Sequence, residues 1–150
     1  MIPDANVLDL YAGTGNLGIE ALSRGAKSAV FIDKSRECYT IITENLIHTK
    51  LLDRAKVLTS EVGSTMSSTV MNLGKFDIIF LDPPYNKNLV EETLNFIVKS
   101  DIIKDNTIII AESDIDDRIP EEIGNLKLKR KQKYGDTVLS FFMPVVQALE

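Results

Sequence analysis

An apolar run that stops at closely spaced glycines, with a second apolar run and an acid behind it, constrains this chain more than any other feature. Val7-Leu8-Asp9-Leu10-Tyr11 reads as a strand and ends in Ala12-Gly13-Thr14-Gly15. Gly13-Thr14-Gly15-Asn16-Leu17-Gly18 fits G-x-G-x-x-G. Leu17, Ile19, Ala21 and Leu22 are available for the buried face of a helix that Gly25 stops. Ser28 to Ile32 forms a second strand, and Asp33 follows it at about the spacing of a ribose-binding carboxylate. Glycines in such a loop permit a tight turn and a close approach of backbone to ligand. The plain alternative is that they only turn the chain and that Asp33 caps the next helix. The complete order of strand, loop, helix, strand and acid argues for a nucleoside site, without saying which nucleoside.

The same grammar continues. Ser35 caps a helix running to about His48, with Tyr39, Ile42 and Leu46 at helical spacing. Ala55–Thr59 is a third strand, and Phe76–Leu81 a fourth whose near-continuous apolarity fits a strand covered on both faces. Leu89 to Val98 is a helix and Thr107–Ala111 a fifth strand. Leu126 to Lys133 and Thr137 to Met143 flank Tyr134-Gly135-Asp136, a hairpin signal. The expectation is an α/β fold, a doubly wound and mostly parallel sheet of order 3-2-1-4-5 with an antiparallel strand near the C-terminus.

Asp82-Pro83-Pro84-Tyr85 directly follows the fourth strand. The prolines fix φ and lack N–H groups, so their carbonyls stay free as acceptors. Asp82 adds an acceptor-only carboxylate and Tyr85 a flat face for stacking. Acceptors beside an aromatic platform suit a planar base carrying an NH₂ group, unstacked to reach the pocket and aimed at an electrophilic methyl. The plain alternative is a rigid loop with no chemistry. In the expected order the first and fourth strands are neighbours, so the glycine loop and Asp82 would meet across one crevice.

Composition narrows the rest. The 150 residues are one domain's worth, and a net charge of −5 argues against gripping nucleic acid with the whole surface. One Cys (Cys38) and one His (His48) cannot build a Cys/His zinc site, and no metal is expected. A lone cysteine suits a reducing cytosol. No apolar run approaches a membrane span, and Met1-Ile2-Pro3-Asp4 lacks a signal-peptide pattern. Lys127, Lys129, Arg130, Lys131 and Lys133 form a basic stretch; alternation would place the four lysines on one strand face. They read equally as phosphate contacts or as a solvated edge strand. Asp114, Asp116 and Asp117 read as a polar loop.

Asp9-Leu10-Tyr11-Ala12-Gly13-Thr14-Gly15 together with Asp82-Pro83-Pro84-Tyr85 resembles the Rossmann-like class I methyltransferases of exocyclic amines. Gly18-Ile19-Glu20-Ala21-Leu22-Ser23-Arg24-Gly25-Ala26 and Tyr134-Gly135-Asp136-Thr137 are similar, more narrowly, to the bacterial RsmD type, over roughly Val7 to Phe142. The resemblance implies an S-adenosylmethionine-dependent enzyme that methylates N2 of a guanine in 16S ribosomal RNA. It implies that Asp9, Gly13 and Gly15 contact the methionine part of the cofactor and that Asp33 holds its ribose. Glu61 and Val62 would sit near the adenine. Asp82, Pro83 and Pro84 would hold the guanine amine, and Tyr85 would stack on the base. Lys127, Lys129 and Arg130 are the candidate contacts to ribosomal RNA or the small subunit. A cytoplasmic monomer is expected, one domain over residues 1–150, without the basic segment that the family carries ahead of the first strand.

Three alternatives remain at this stage. An adenine-N6 or cytosine-N4 methyltransferase would carry the same tetrapeptide. A nicotinamide-dependent oxidoreductase shares the glycine loop but has no use for Asp-Pro-Pro-Tyr, and no Tyr-x-x-x-Lys pair occurs. A cofactor-binding domain without activity of its own is the third.

Overall fold

Among the described residues, each run read as a strand in the sequence lies in one eight-stranded sheet. The computed structural model describes residues 2–63, 67–84 and 89–145. The elements are β1 (Asn6–Leu10), α1 (Asn16–Ser23), β2 (Ser28–Asp33), α2 (Arg36–His48), β3 (Ala55–Thr59) and α3 (Ser67–Met71). They continue with β4 (Phe76–Leu81), α4 (Leu89–Lys99), β5 (Ile103–Asp114), β6 (Glu122–Ile123), β7 (Leu126–Tyr134) and β8 (Thr137–Pro144). The sheet order is β3-β2-β1-β4-β5-β8-β7-β6. Strands β1 to β5 pair in parallel, as expected. The antiparallel section is wider than one strand, because β8 inserts between β5 and β7 and β6 pairs on the far side of β7.

Alternation along the strands sends side chains to two cores. On one face Leu8, Leu10, Val30, Ile32, Ile79, Leu81, Ile109 and Phe142 pack with Val90, Leu94 and Ile97 of α4. On the other, Val7, Ala29, Phe31 and Ile78 pack with Ala21 and Leu22 of α1 and Ile42 and Leu46 of α2. Asp9 lies between Leu8 and Leu10, so it points to the α1 side. Ser35 caps α2 as expected, its Oγ accepting the Cys38 N–H at 3.2 Å. Gly25 ends α1 at φ 102°.

Two expected core residues lie outside. Leu17 and Tyr39 are 43% and 44% exposed. In α1 the place of contact with the sheet is taken by Gly18, whose backbone is pressed against the Phe31 ring. Strand β5 extends well beyond Thr107–Ala111. Its carboxyl end is held by β8, through Asp114 paired with Thr137, and its amino end by Phe76 paired with Ile103. Both extensions come from partners remote in sequence.

Candidate active site

Strand β1 passes into the glycine loop through Tyr11, whose φ of 60° is left-handed and costs a non-glycine residue on the order of 1–2 kcal/mol. Thr93 on α4 donates to the Leu89 carbonyl at 2.7 Å, which leaves its Oγ1 to accept the Tyr11 hydroxyl at 2.8 Å. Gly13 and Gly15 turn the chain at φ 61° and 84°, angles open to glycine at little cost. Asp33, at the end of β2, clasps this loop. Its Oδ2 accepts the Gly13 N–H at 3.0 Å and its Oδ1 accepts the Ser35 N–H at 3.0 Å. Asn45 of α2 adds a third tie, its Nδ2 donating to the Thr14 carbonyl at 3.0 Å.

Beneath the loop, the buried Asp9 accepts the Gly18 N–H at 3.1 Å through Oδ2. Burial pushes its carboxyl up from 3.8 to about 8, and the charges of Asp82 and Asp33 add to the rise against the pull of the Gly18 N–H.

A cleft of about 630 Å³ opens above the loop, lined by Tyr11, Gly13, Asp33, Lys34, Glu61 and Val62 on one side and by Asp82, Pro83, Pro84 and Leu89 on the other. Small-molecule sites commonly have about 300–1,000 Å³. A Cβ at Gly13 would meet nothing within 4 Å, so the backbone there is open to a ligand. Three carboxylates against one cation, Lys34, among the described lining residues suit a ligand of net positive charge. Asp82 leaves β4 with its N–H 3.4 Å from the Leu10 carbonyl. Burial first, and then the Glu112 carboxyl beside it, push Asp82 up from 3.8 to about 7.

This arrangement places Asp82, Pro83 and Pro84 across one crevice from Gly13 and Asp33, as the sequence predicts. Glu61 and Val62 also line it. Two expected cofactor contacts do not. Asp9 is sealed under the loop, and a side chain at Gly15 would run into Ile42 of α2, 3.2 Å away. Both shape the loop from behind. Tyr85 lies outside the described residues.

The family model described as conserved hypothetical protein 95 matches residues 1–143. The ribosomal RNA small subunit methyltransferase D of Escherichia coli strain K12 is 32% identical over 147 residues, covering 98% of this chain and 72% of that protein. The chain belongs to this family. Members of the RsmD family are S-adenosylmethionine-dependent methyltransferases. A solved structure of a conserved hypothetical protein from Streptococcus pyogenes superposes with a TM-score of 0.83 at 32% identity, covering 95% of this chain and 88% of the other. The fold also matches a ribosomal protein L11 methylase from Lactobacillus delbrueckii subsp. bulgaricus, with TM-score 0.75, 17% identity, and 96% and 72% coverage.

Relative to the RsmD-type cleft, the basic stretch lies on β7. All five of its cations are exposed and none lines the cleft. The expected single face of lysines does not form. A bulge between Leu128 and Arg130 leaves Lys129 as the extra residue. Lys127, Arg130 and Gln132 therefore share a face with Met143, Phe141 and Leu139, while Lys131 and Lys133 turn to the side of Ser140 and Val138. Arg130 lies 4.9 Å over the Phe141 ring and donates to Gln132 Oε1 at 2.6 Å. Leu139 pairs with Glu112 on β5, so the Arg130 side of β7 is the side of the sheet that carries Glu112.

Sequence reasoning missed Tyr11, Lys34 and Glu112. A signal for the last was present: Glu112 directly follows the apolar run of β5, as Asp33 follows that of β2 and Asp82 that of β4. Among the described residues no trio of His, Cys, Asp or Glu is arranged to hold a metal, and no helix is long and apolar enough to cross a membrane.

Proposed function

We propose that this chain methylates N2 of a guanine in 16S ribosomal RNA, of the G966 type, with S-adenosylmethionine as donor. The observation that carries the reading is the single acid-lined cleft shared by Gly13 and Asp33 of the loop and Asp82, Pro83 and Pro84 after β4. The cofactor supplies an electrophilic methyl on a cationic sulfur when bound. Asp33 and the Gly13 backbone hold its ribose and methionine parts, and Glu61 and Val62 flank the adenine. Asp82 and the carbonyls of Pro83 and Pro84 accept the amine hydrogens, which turns the nitrogen lone pair toward the methyl. Holding two reactants in line supplies most of the acceleration in such a transfer. Tyr85 stacks on a guanine splayed out of its helix. Lys127, Lys129 and Arg130 meet phosphates, which position the RNA without reading its sequence. The protein works as a monomer in the cytoplasm, on ribosomal RNA or the small subunit.

The test is transfer of labelled methyl to small-subunit RNA and particles, followed by nucleoside mass spectrometry. N2-methylguanosine is expected. N6-methyladenosine or N4-methylcytidine would move the assignment to the rival base methyltransferases, and cofactor binding without transfer would leave a binding domain. Asp82→Ala should abolish transfer while cofactor affinity stays within about tenfold, roughly 1.4 kcal/mol; normal turnover by this variant refutes the role of Asp82.

A further inference from the structure

Asp82, just past β4, and Glu112, within the neighbouring parallel strand β5, stand at the same level. Leu81 of β4 pairs with Ala111 of β5, and the next residue of each strand is an acid. Alternation turns both away from the face of Leu81 and Ala111, so their side chains share one side of the sheet. The register therefore sets the Glu112 carboxyl beside that of Asp82, and it is the neighbour that, after burial, raises Asp82. Two ionised carboxylates are both acceptors, so a hydrogen bond between them requires a proton on one. Neither fold nor packing requires an acid at Glu112: it is partly exposed, at a strand position paired with Leu139.

We propose that Glu112 is a positioning residue for methyl transfer, accepting the hydrogen bond of the Asp82 carboxylic acid that forms when Asp82 takes the proton shed by the methylated amine. The inference rests on the guanine-amine reading of the cleft. The amine nitrogen forms a bond to the methyl carbon, and the carbon–sulfur bond breaks with its electron pair left on sulfur. One N–H proton passes to the Asp82 carboxylate and later to solvent. The cationic sulfur becomes neutral as the negative charge on Asp82 is lost, so charge balances in the cleft.

The neighbour makes Asp82 a stronger base, and general-base efficiency is greatest when the group's pKa lies near the working pH. The groups that face Asp82 divide clearly. From β1 comes Asp9, fixed on the Gly18 N–H. From β5 comes Glu112, which follows burial as the cause of the Asp82 rise. The cleft wall adds Asp33, Glu61 and Lys34. Of these, Glu112 is the group that, after burial, raises Asp82.

The experiment compares wild type with Glu112→Gln and Glu112→Asp, in turnover and in an NMR titration of the Asp82 carboxyl. Glu112→Gln keeps size and hydrogen bonding but removes the charge. The Asp82 midpoint and the acidic limb of the kcat–pH profile should both move to lower pH. Turnover at neutral pH should fall by roughly tenfold or more with cofactor affinity unchanged, and Glu112→Asp should restore part of both. A wild type that methylates guanine while Glu112→Gln matches it in kcat and pH profile overturns the role of Glu112 and spares the function. A wild type inactive on small-subunit RNA and particles overturns the function, and with it the role of Glu112 in that transfer.

Discussion

Asp33 is committed twice before any ligand arrives: one oxygen holds the Gly13 N–H and the other the Ser35 N–H, each at 3.0 Å. A carboxylate has about four lone-pair sites on its two oxygens, so two bonds to the backbone leave room for two ribose hydroxyls. On the proposed reading, Asp33→Ala removes the ribose contacts and the clasp on the loop together. Cofactor affinity should fall by at least about tenfold, roughly 1.4 kcal/mol, in titration calorimetry. Unchanged affinity would mean that the ribose lies elsewhere. Asp9 makes a different contribution, because its contact is to the first turn of α1 and not to the cleft. The two acids look alike in the sequence, one inside β1 and one at the end of β2; which of them faces the cleft follows from how the loop folds over.

The contact between α1 and β2 depends on Gly18. A Cβ there would overlap the Phe31 ring and lie 3.2 Å from Asp9 Oδ2. Gly18→Ala should lower folding stability by about 1–3 kcal/mol, the usual cost of overpacking, read as a lower urea midpoint. A midpoint equal to wild type would show that Phe31 yields freely. On β7 the bulge sorts the cations by face. Arg130→Glu, on the Glu112 side, should weaken binding to small-subunit RNA and flatten its salt dependence. Lys133→Glu, on the opposite side, should change both much less, since each phosphate contact adds close to one unit to the log–log salt slope. Equal losses from the two reversals would leave β7 as a charged strand with no preferred face. The five strands of the parallel section were legible because each is a short apolar run between helical stretches. The 3-10 turn Leu52–Arg54, α3 and β6 were not, since these short segments carry neither a continuous apolar run nor a readable period.

The carboxyls around the cleft tie the stability of the whole molecule to pH. Asp9 keeps its proton in the folded state up to about 8 but loses it near 3.8 when unfolded. Between those values the native chain binds more protons than the unfolded one, so stability falls as pH rises, and flattens above about 8. Asp82, raised to about 7, acts in the same direction over a narrower window. The urea midpoint should drop from pH 5 to pH 8, and Asp9→Asn should remove much of that slope; a variant with the wild-type slope would contradict a protonated Asp9. The local code was enough for the parallel α/β order, the glycine loop, and the meeting of Asp33 with Asp82, because these follow from strand adjacency and from turns that only certain residues permit. Three matters depended on contacts remote in sequence. Asp9 and Gly15 withdrew from the cleft because α1 and α2 close over them. The lysines of β7 parted because a bulge breaks a two-residue period. Glu112 joined Asp82 because register between two strands, set by the packing of the entire sheet, decides which acids stand side by side.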